Sequence, residues 1–213
     1  MSVELSHPPR GLVSSIAGGL IMMAVFSLWW ASDTFTGWPA PIAATVTVVC
    51  GTAGLVFCVC ALRLLRASRT GNSTPNDSDR ARRPNGVAFG AVFAAEGVLI
   101  GVAVGVLSAN SLDRFTVPTI AVIVGVHFFP MARIFDRTID LWLGAWTTLV
   151  GATGITAIAF NAPDWPVVWS WVGLGAAAAT LSYGMYMSRY ARRLLRTGTR
   201  DPGTQQPGGT LPD

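Results

Sequence analysis

The sequence predicts an all-α integral membrane protein, a bundle of six transmembrane helices with both termini in the cytoplasm. Three observations predict this class. Of the 213 residues, 51% are hydrophobic and only 12% are charged, about half the charged share of a soluble domain. Six apolar runs each approach the roughly 20 residues that a helix needs to cross a bilayer. The basic residues, all of them Arg, collect in segments between alternate runs.

The six runs follow one another closely enough to form a single domain over residues 1–196. The first run is longer than the roughly 7–15 apolar residues of a signal peptide, and we expect it to remain as the first helix. Prolines at 39 and 41, at 118 and at 166 precede or open the second, fourth and sixth helices, where a missing N–H costs no helical bond. The predicted spans are 11–31, 40–62, 87–109, 117–135, 141–160 and 167–187.

Arginine positions predict the orientation. With the N-terminus in the cytoplasm, every Arg except Arg114 falls in a cytoplasmic segment, as the positive-inside rule requires. The Arg clusters are separated by apolar runs and form no continuous basic face, so we expect anionic lipid headgroups as partners and no nucleic acid. The predicted location is a bacterial-type plasma membrane. Residues 67–83 form a polar, Arg-rich cytoplasmic loop in this prediction, and residues 197–213 form a disordered tail.

Small residues indicate where helices pack in lipid, because close backbone approach replaces hydrophobic exclusion there. Gly97, Gly101 and Gly105 repeat at a spacing of four in the third run. This stripe predicts that the third helix is the central one. The sequence is also compatible with a homodimer that packs along a small-residue face.

Two ionisable residues lie deep in the predicted spans. Glu96 is about 13–14 Å from the cytoplasmic edge at 1.5 Å per residue, and His127 is about 15 Å from the outer edge. These depths agree within a core about 30 Å thick. We therefore expect Glu96 and His127 to face each other or share a polar cavity, because an isolated carboxylate is costly in hydrocarbon.

Two further features flank this pair. Pro130 removes a helical hydrogen bond one turn after His127 and predicts a kink, which would suit a pocket, a gate or mere helix shape. Nearer the cytoplasm, four alternating charges at helical spacing predict one ion-paired face, either a solvated cap or a substrate gate. Its members are Arg133, Asp136, Arg137 and Asp140.

The segment from His127 to Ala132, His-Phe-Phe-Pro-Met-Ala, resembles a motif of small uncharacterised bacterial multi-pass membrane proteins. The resemblance covers six residues and implies no activity. It adds weight to His127 and Pro130 as site residues.

Three functions fit these observations. The first is a small permease or transporter-like protein with a polar Glu96–His127 site at mid-membrane. The second is a membrane-embedded enzyme that acts on a lipid or prenyl substrate, with the pair as acid and base. The third is a structural or accessory subunit in which the pair only joins two helices. We expect no cofactor and no metal, because the sequence has no nucleotide-binding motif and only one deep His. The small-molecule or lipid ligand is open.

Overall fold

A computed structural model describes residues 10–70, 86–161 and 164–197. Short 3₁₀ turns at Asp33–Phe35 and Asp113–Phe115 follow the first helix and precede the fourth. The six helices are α1 (Arg10–Ser32), α2 (Ala40–Thr70), α3 (Gly86–Ala109), α4 (Thr116–Phe135), α5 (Thr138–Ala159) and α6 (Trp165–Thr197).

The all-helical architecture is as predicted, and the described residues contain no strand. The five helices α1 to α5 are long and apolar enough to cross a membrane. The sixth has 33 residues and is long enough, but its sequence includes more Trp, Tyr, Ser and Arg. By length and composition, at least five helices of the described residues could therefore span a membrane.

Two helices are longer than predicted. α2 continues to Thr70 and α6 to Thr197, beyond the predicted ends at 62 and 187. Both extensions are rich in Ala, Leu and Arg, which favour helix strongly. The predicted loop 67–83 therefore begins inside α2, which corrects its first four residues, and its remainder lies outside the described residues. Residue 197 of the predicted tail ends α6, and the rest of the tail also lies outside them.

The central helix is α6. It packs against α1 and α2 on one side and against α4 and α5 on the other. One buried cluster joins α1, α2 and α6 around Leu20, Phe57 and Met187. A second cluster lies farther towards the start of α6, around Ala121, Ile158 and Val172. α6 contributes to both, so the two helix pairs share it as a common wall.

The prediction that the third helix is central is wrong. α3 packs extensively only against α4. A Cβ atom added at Gly97, Gly101 or Gly105 would meet no atom within 4 Å outside the helix's own backbone and the chain neighbours. The predicted packing stripe therefore faces away from the rest of the chain.

Close approaches lie elsewhere, and several of them join α4 and α5. A Cβ atom at Gly125 would meet the backbone of Thr148, with 2.8 Å to its Cα atom. A Cβ atom at Gly151 would meet the Pro118 carbonyl oxygen at 2.6 Å. Gly144, Gly151 and Gly154 of α5 all meet residues of α4, so a small-residue face on α5, and not the stripe on α3, lets these two backbones approach.

Arginines mark one end of the bundle, which we call the Arg-rich end. α2, α4 and α6 all end there, and the Arg137 side chain contacts Tyr183 of α6 across it. The members of this set whose side chains are described are Arg63, Arg66, Arg133, Arg137, Arg189, Arg192 and Arg193.

Candidate functional site

Glu96 has an unusual position on α3. This helix is apolar along its whole length, yet Glu96 is its only buried residue within 87–109, with 8% of its surface exposed. Its apolar neighbours Val98 and Leu99 are exposed. The rotation of α3 therefore turns its single carboxylate towards α4 and its aliphatic side chains away from the bundle.

The partner of this carboxylate is His127 on α4. Nδ1 of His127 lies 3.1 Å from Oε1 of Glu96, and 12% of the His127 side chain is exposed. Nδ1 makes no hydrogen bond of ordinary geometry in the part of the chain described. The two groups therefore lie close enough for electrostatic attraction, although not in hydrogen-bond geometry. The depth argument predicted this juxtaposition from helix rise alone.

Aromatic rings border the imidazole. The His127 ring lies 4.3 Å from the Phe128 ring, between centroids, and the Phe128 ring meets Tyr183 of α6 edge to face at 6.2 Å. The Tyr183 hydroxyl in turn accepts a hydrogen bond of 3.2 Å from Nη1 of Arg137. This aromatic group connects the Glu96–His127 pair to the polar residues at the Arg-rich end.

Asp140, in the first turn of α5, is the second buried carboxylate of this region. Only 1% of it is exposed, and neither carboxylate oxygen has a hydrogen-bond partner among the described residues. It lies within electrostatic reach of Arg137 and His127, and the Tyr183 hydroxyl approaches it without ordinary hydrogen-bond geometry. A buried carboxylate in this state favours binding a proton or a cationic group.

The predicted ion-paired face at residues 133–140 is wrong. α4 ends at Phe135, Asp136 adopts a left-handed conformation with φ of 51°, and α5 begins at Thr138. This break leaves Arg133 on α4 and Asp140 on α5, with Asp136 and Arg137 in the turn between the two helices. Arg133 and Asp136 are exposed, and within the described ranges no ion pair joins any of the four. Only Arg137 and Asp140 point towards the interior side of the break.

Pro130 lies within α4, which continues through it to Phe135. Its ring is exposed at the helix surface. The structure therefore places Pro130 beside the site in sequence but not inside the buried cluster.

Sequence reasoning missed Tyr183. It is 46 positions from Arg137 in the sequence, and its polar hydroxyl at the end of an apolar run resembles an ordinary interfacial anchor. Tyr183 could have been identified only by knowing that the second half of α6 packs beside the start of α5.

No three His, Cys, Asp or Glu side chains of the described residues are grouped so that they could hold a metal ion. Comparison with protein-family models, with characterised proteins and with solved structures finds no match for this chain. Any function must therefore be argued from the geometry of the site itself.

Proposed function

We propose that this chain is a small permease or transporter-like membrane protein in which Glu96 and His127 form a proton-sensitive polar site. One observation supports the proposal above all. The only buried residue of α3 within 87–109 is a carboxylate, and it lies 3.1 Å from an imidazole on the one helix against which α3 packs extensively. Ionisable groups at such depth are costly and usually functional.

The peripheral position of α3 makes this pair suited to a gate. α3 has no close glycine contact with the rest of the chain at Gly97, Gly101 or Gly105. The Glu96–His127 contact is therefore one of the contacts that hold α3 against α4, together with the edge-to-face contact between Phe89 and Phe135. Protonation of the carboxylate removes its attraction to the imidazole, and a loosened α3 would open a polar path along α4.

The proposed path continues towards the Arg-rich end. Asp140, Tyr183 and Arg137 provide the next polar groups in that direction, and the electrostatic reach of His127 extends to Asp140. A proton or a cation leaving the pair would thus meet a second buried carboxylate, whose oxygens have no hydrogen-bond partner of ordinary geometry among the described residues. Such a series of ionisable and polar side chains is typical of intramembrane proton pathways.

Cysteine accessibility tests whether water reaches the pair. In a variant with Cys50, Cys58 and Cys60 replaced by Ala, a single Cys is placed at Ile100, one turn from Glu96. A membrane-impermeant maleimide is then applied from each face, in intact cells and in inverted vesicles. Labelling is expected, because the proposal requires an aqueous path at mid-membrane.

The matched control is a single Cys at Val98. This position has nearly the same depth on α3 but points away from the bundle, and 64% of the residue is exposed. It should stay unlabelled if its surroundings are lipid. Labelling at position 100 but not at position 98 would support the gate. Labelling at position 100 is also measured at several pH values, and the proposal expects that it varies with pH and that Glu96→Gln removes this variation. Absence of labelling at both positions would make the pair a dry structural contact and refute the permease proposal.

A further inference from the structure

A groove lies between α2 and α6 at the Arg-rich end. It has a volume of about 460 Å³. Aliphatic side chains of α2 and the last turns of α6 line most of it, and two guanidinium groups complete the lining. The lining includes Leu55, Val56, Val59, Arg63, Arg192 and Leu195. This α2–α6 groove is separate from the Glu96–His127 site, which lies between α3 and α4.

The wall of the groove is apolar although it is open to the surroundings. Leu55, Val56 and Val59 are all exposed, and their spacing places them on one face of α2. Beneath them the packing is tight, because Ala61 and Ala191 are fully buried between the helices. The groove is thus a shallow aliphatic depression on the surface that does not continue between the two helices.

The two arginines give the groove an anionic preference. Arg63 and Arg192 come from different helices, are both exposed and line the same groove. Guanidinium groups bind phosphate oxygens through paired hydrogen bonds. From Arg63 to Leu55 the groove follows α2 for about 12 Å at 1.5 Å per residue. This length is close to one leaflet, which is about 15 Å or half of the hydrocarbon core.

We propose that the α2–α6 groove binds one anionic phospholipid. Its phosphate lies between Arg63 and Arg192, and one acyl chain lies along Leu55, Val56 and Val59. A second copy of the chain is a poorer occupant, because symmetric contact here would bring two Arg-rich ends together and like charges repel. The inference does not depend on the proposed permease function.

Lipid retention by the full-length purified chain tests this inference. Native mass spectrometry is performed from detergent micelles with added phosphatidylglycerol or phosphatidylcholine of identical acyl chains. We expect one phosphatidylglycerol retained per chain and much less phosphatidylcholine. The variant Arg63→Ala/Arg192→Ala should bind phosphatidylglycerol about 30-fold more weakly, from about 1 kcal/mol per basic side chain at the headgroup level.

Two further variants make the test specific. Arg66→Ala removes a charge three residues from Arg63 and outside the groove lining, so it should retain the lipid like the unmodified chain. Val59→Trp fills the groove, keeps both arginines and should abolish retention. This variant tests the site even if the double Arg variant fails to fold.

Four outcomes would overturn the inference. Equal retention of both lipids would show that charge is irrelevant, and loss in Arg66→Ala would show only general attraction to the Arg-rich end. Full displacement of the lipid by inorganic phosphate would show that the apolar groove adds nothing. A dimer that Val59→Trp dissociates would assign the groove to a second copy.

Discussion

Replacing Gly125 by Ala should destabilise the chain strongly, whereas replacing Gly101 by Ala should not. Gly125 is buried on α4, and a Cβ atom there would lie 2.8 Å from the Cα atom of Thr148 and closer still to its backbone nitrogen. Backbone atoms cannot rotate away as a side chain can, so α4 and α5 must separate. At Gly101 the added atom would meet nothing within 4 Å.

The size of the difference follows from these contacts. Forcing one methyl group into a close-packed contact costs about 1–3 kcal/mol. For a chain of 150–250 residues each kcal/mol changes Tm by about 2–4 °C, so Gly125→Ala should lower Tm by about 2–12 °C. At Gly101 the methyl group adds no clash, and Ala is the better helix former by about 1 kcal/mol.

Thermal unfolding of both variants in the same detergent, followed by intrinsic Trp fluorescence, measures this difference. Size-exclusion chromatography alongside it controls for changes in oligomeric state, since the sequence is compatible with a dimer along the Gly97–Gly101–Gly105 stripe. Equal destabilisation of the monomer by the two substitutions would refute the reasoning, because it would place the glycine face of α3 inside the bundle.

Two further substitutions test the packing around α6. Ser170→Ala should cost about 1–3 kcal/mol, because the fully buried hydroxyl accepts the Gly37 N–H at 3.0 Å; thermal unfolding measures it. The control Ser182→Ala, on an exposed face of the same helix, should change Tm little, and equal effects would contradict the assignment. Gly184→Ala places a carbon against the Phe57 ring and should lower Tm, and Phe57→Leu in the same chain should restore part of the loss. Absence of this rescue would show that the ring is not the obstacle.

The number and order of the helices could be predicted because each run is long, apolar and separated from the next. Their ends could not. Hydropathy falls at Arg63 and Arg189, but the helices continue, since Ala, Leu and Arg favour helix whether the surroundings are lipid or water. Apolar content therefore locates a span, while helix propensity sets its length.

Helix neighbours were harder to predict than helix positions. The stripe at Gly97, Gly101 and Gly105 would allow another helix to pack closely, but it does not determine that a helix of this chain lies there. The contacts that do form use Gly125 on α4 and a small-residue face of α5 that includes Gly144 and Gly151. Small-residue faces occur on both α3 and α5, and only the opposing backbone decides which of them is packed.

The site was predictable to the extent that it depends on depth. Helix rise is fixed, so counting residues placed Glu96 and His127 at one level. Counting failed at Asp140 because it assumed that α4 continues past Phe135. One left-handed residue, Asp136, ends that helix and turns the chain into α5. No Gly or Pro marks this break, so the sequence did not indicate that Asp140 becomes buried while Arg133 stays exposed.

The burial pattern of α3 supports membrane insertion independently of its hydropathy. α3 exposes Val98, Val102 and Val106 and buries the carboxylate of Glu96. In water this arrangement would be unstable, because burial favours aliphatic side chains over a carboxylate. In hydrocarbon the preference reverses. The aliphatic groups gain nothing by leaving lipid, and the carboxylate gains a polar partner only within the bundle. Glu96 would then set the rotation of α3, so the residue proposed to act in the gate would also hold the gate closed.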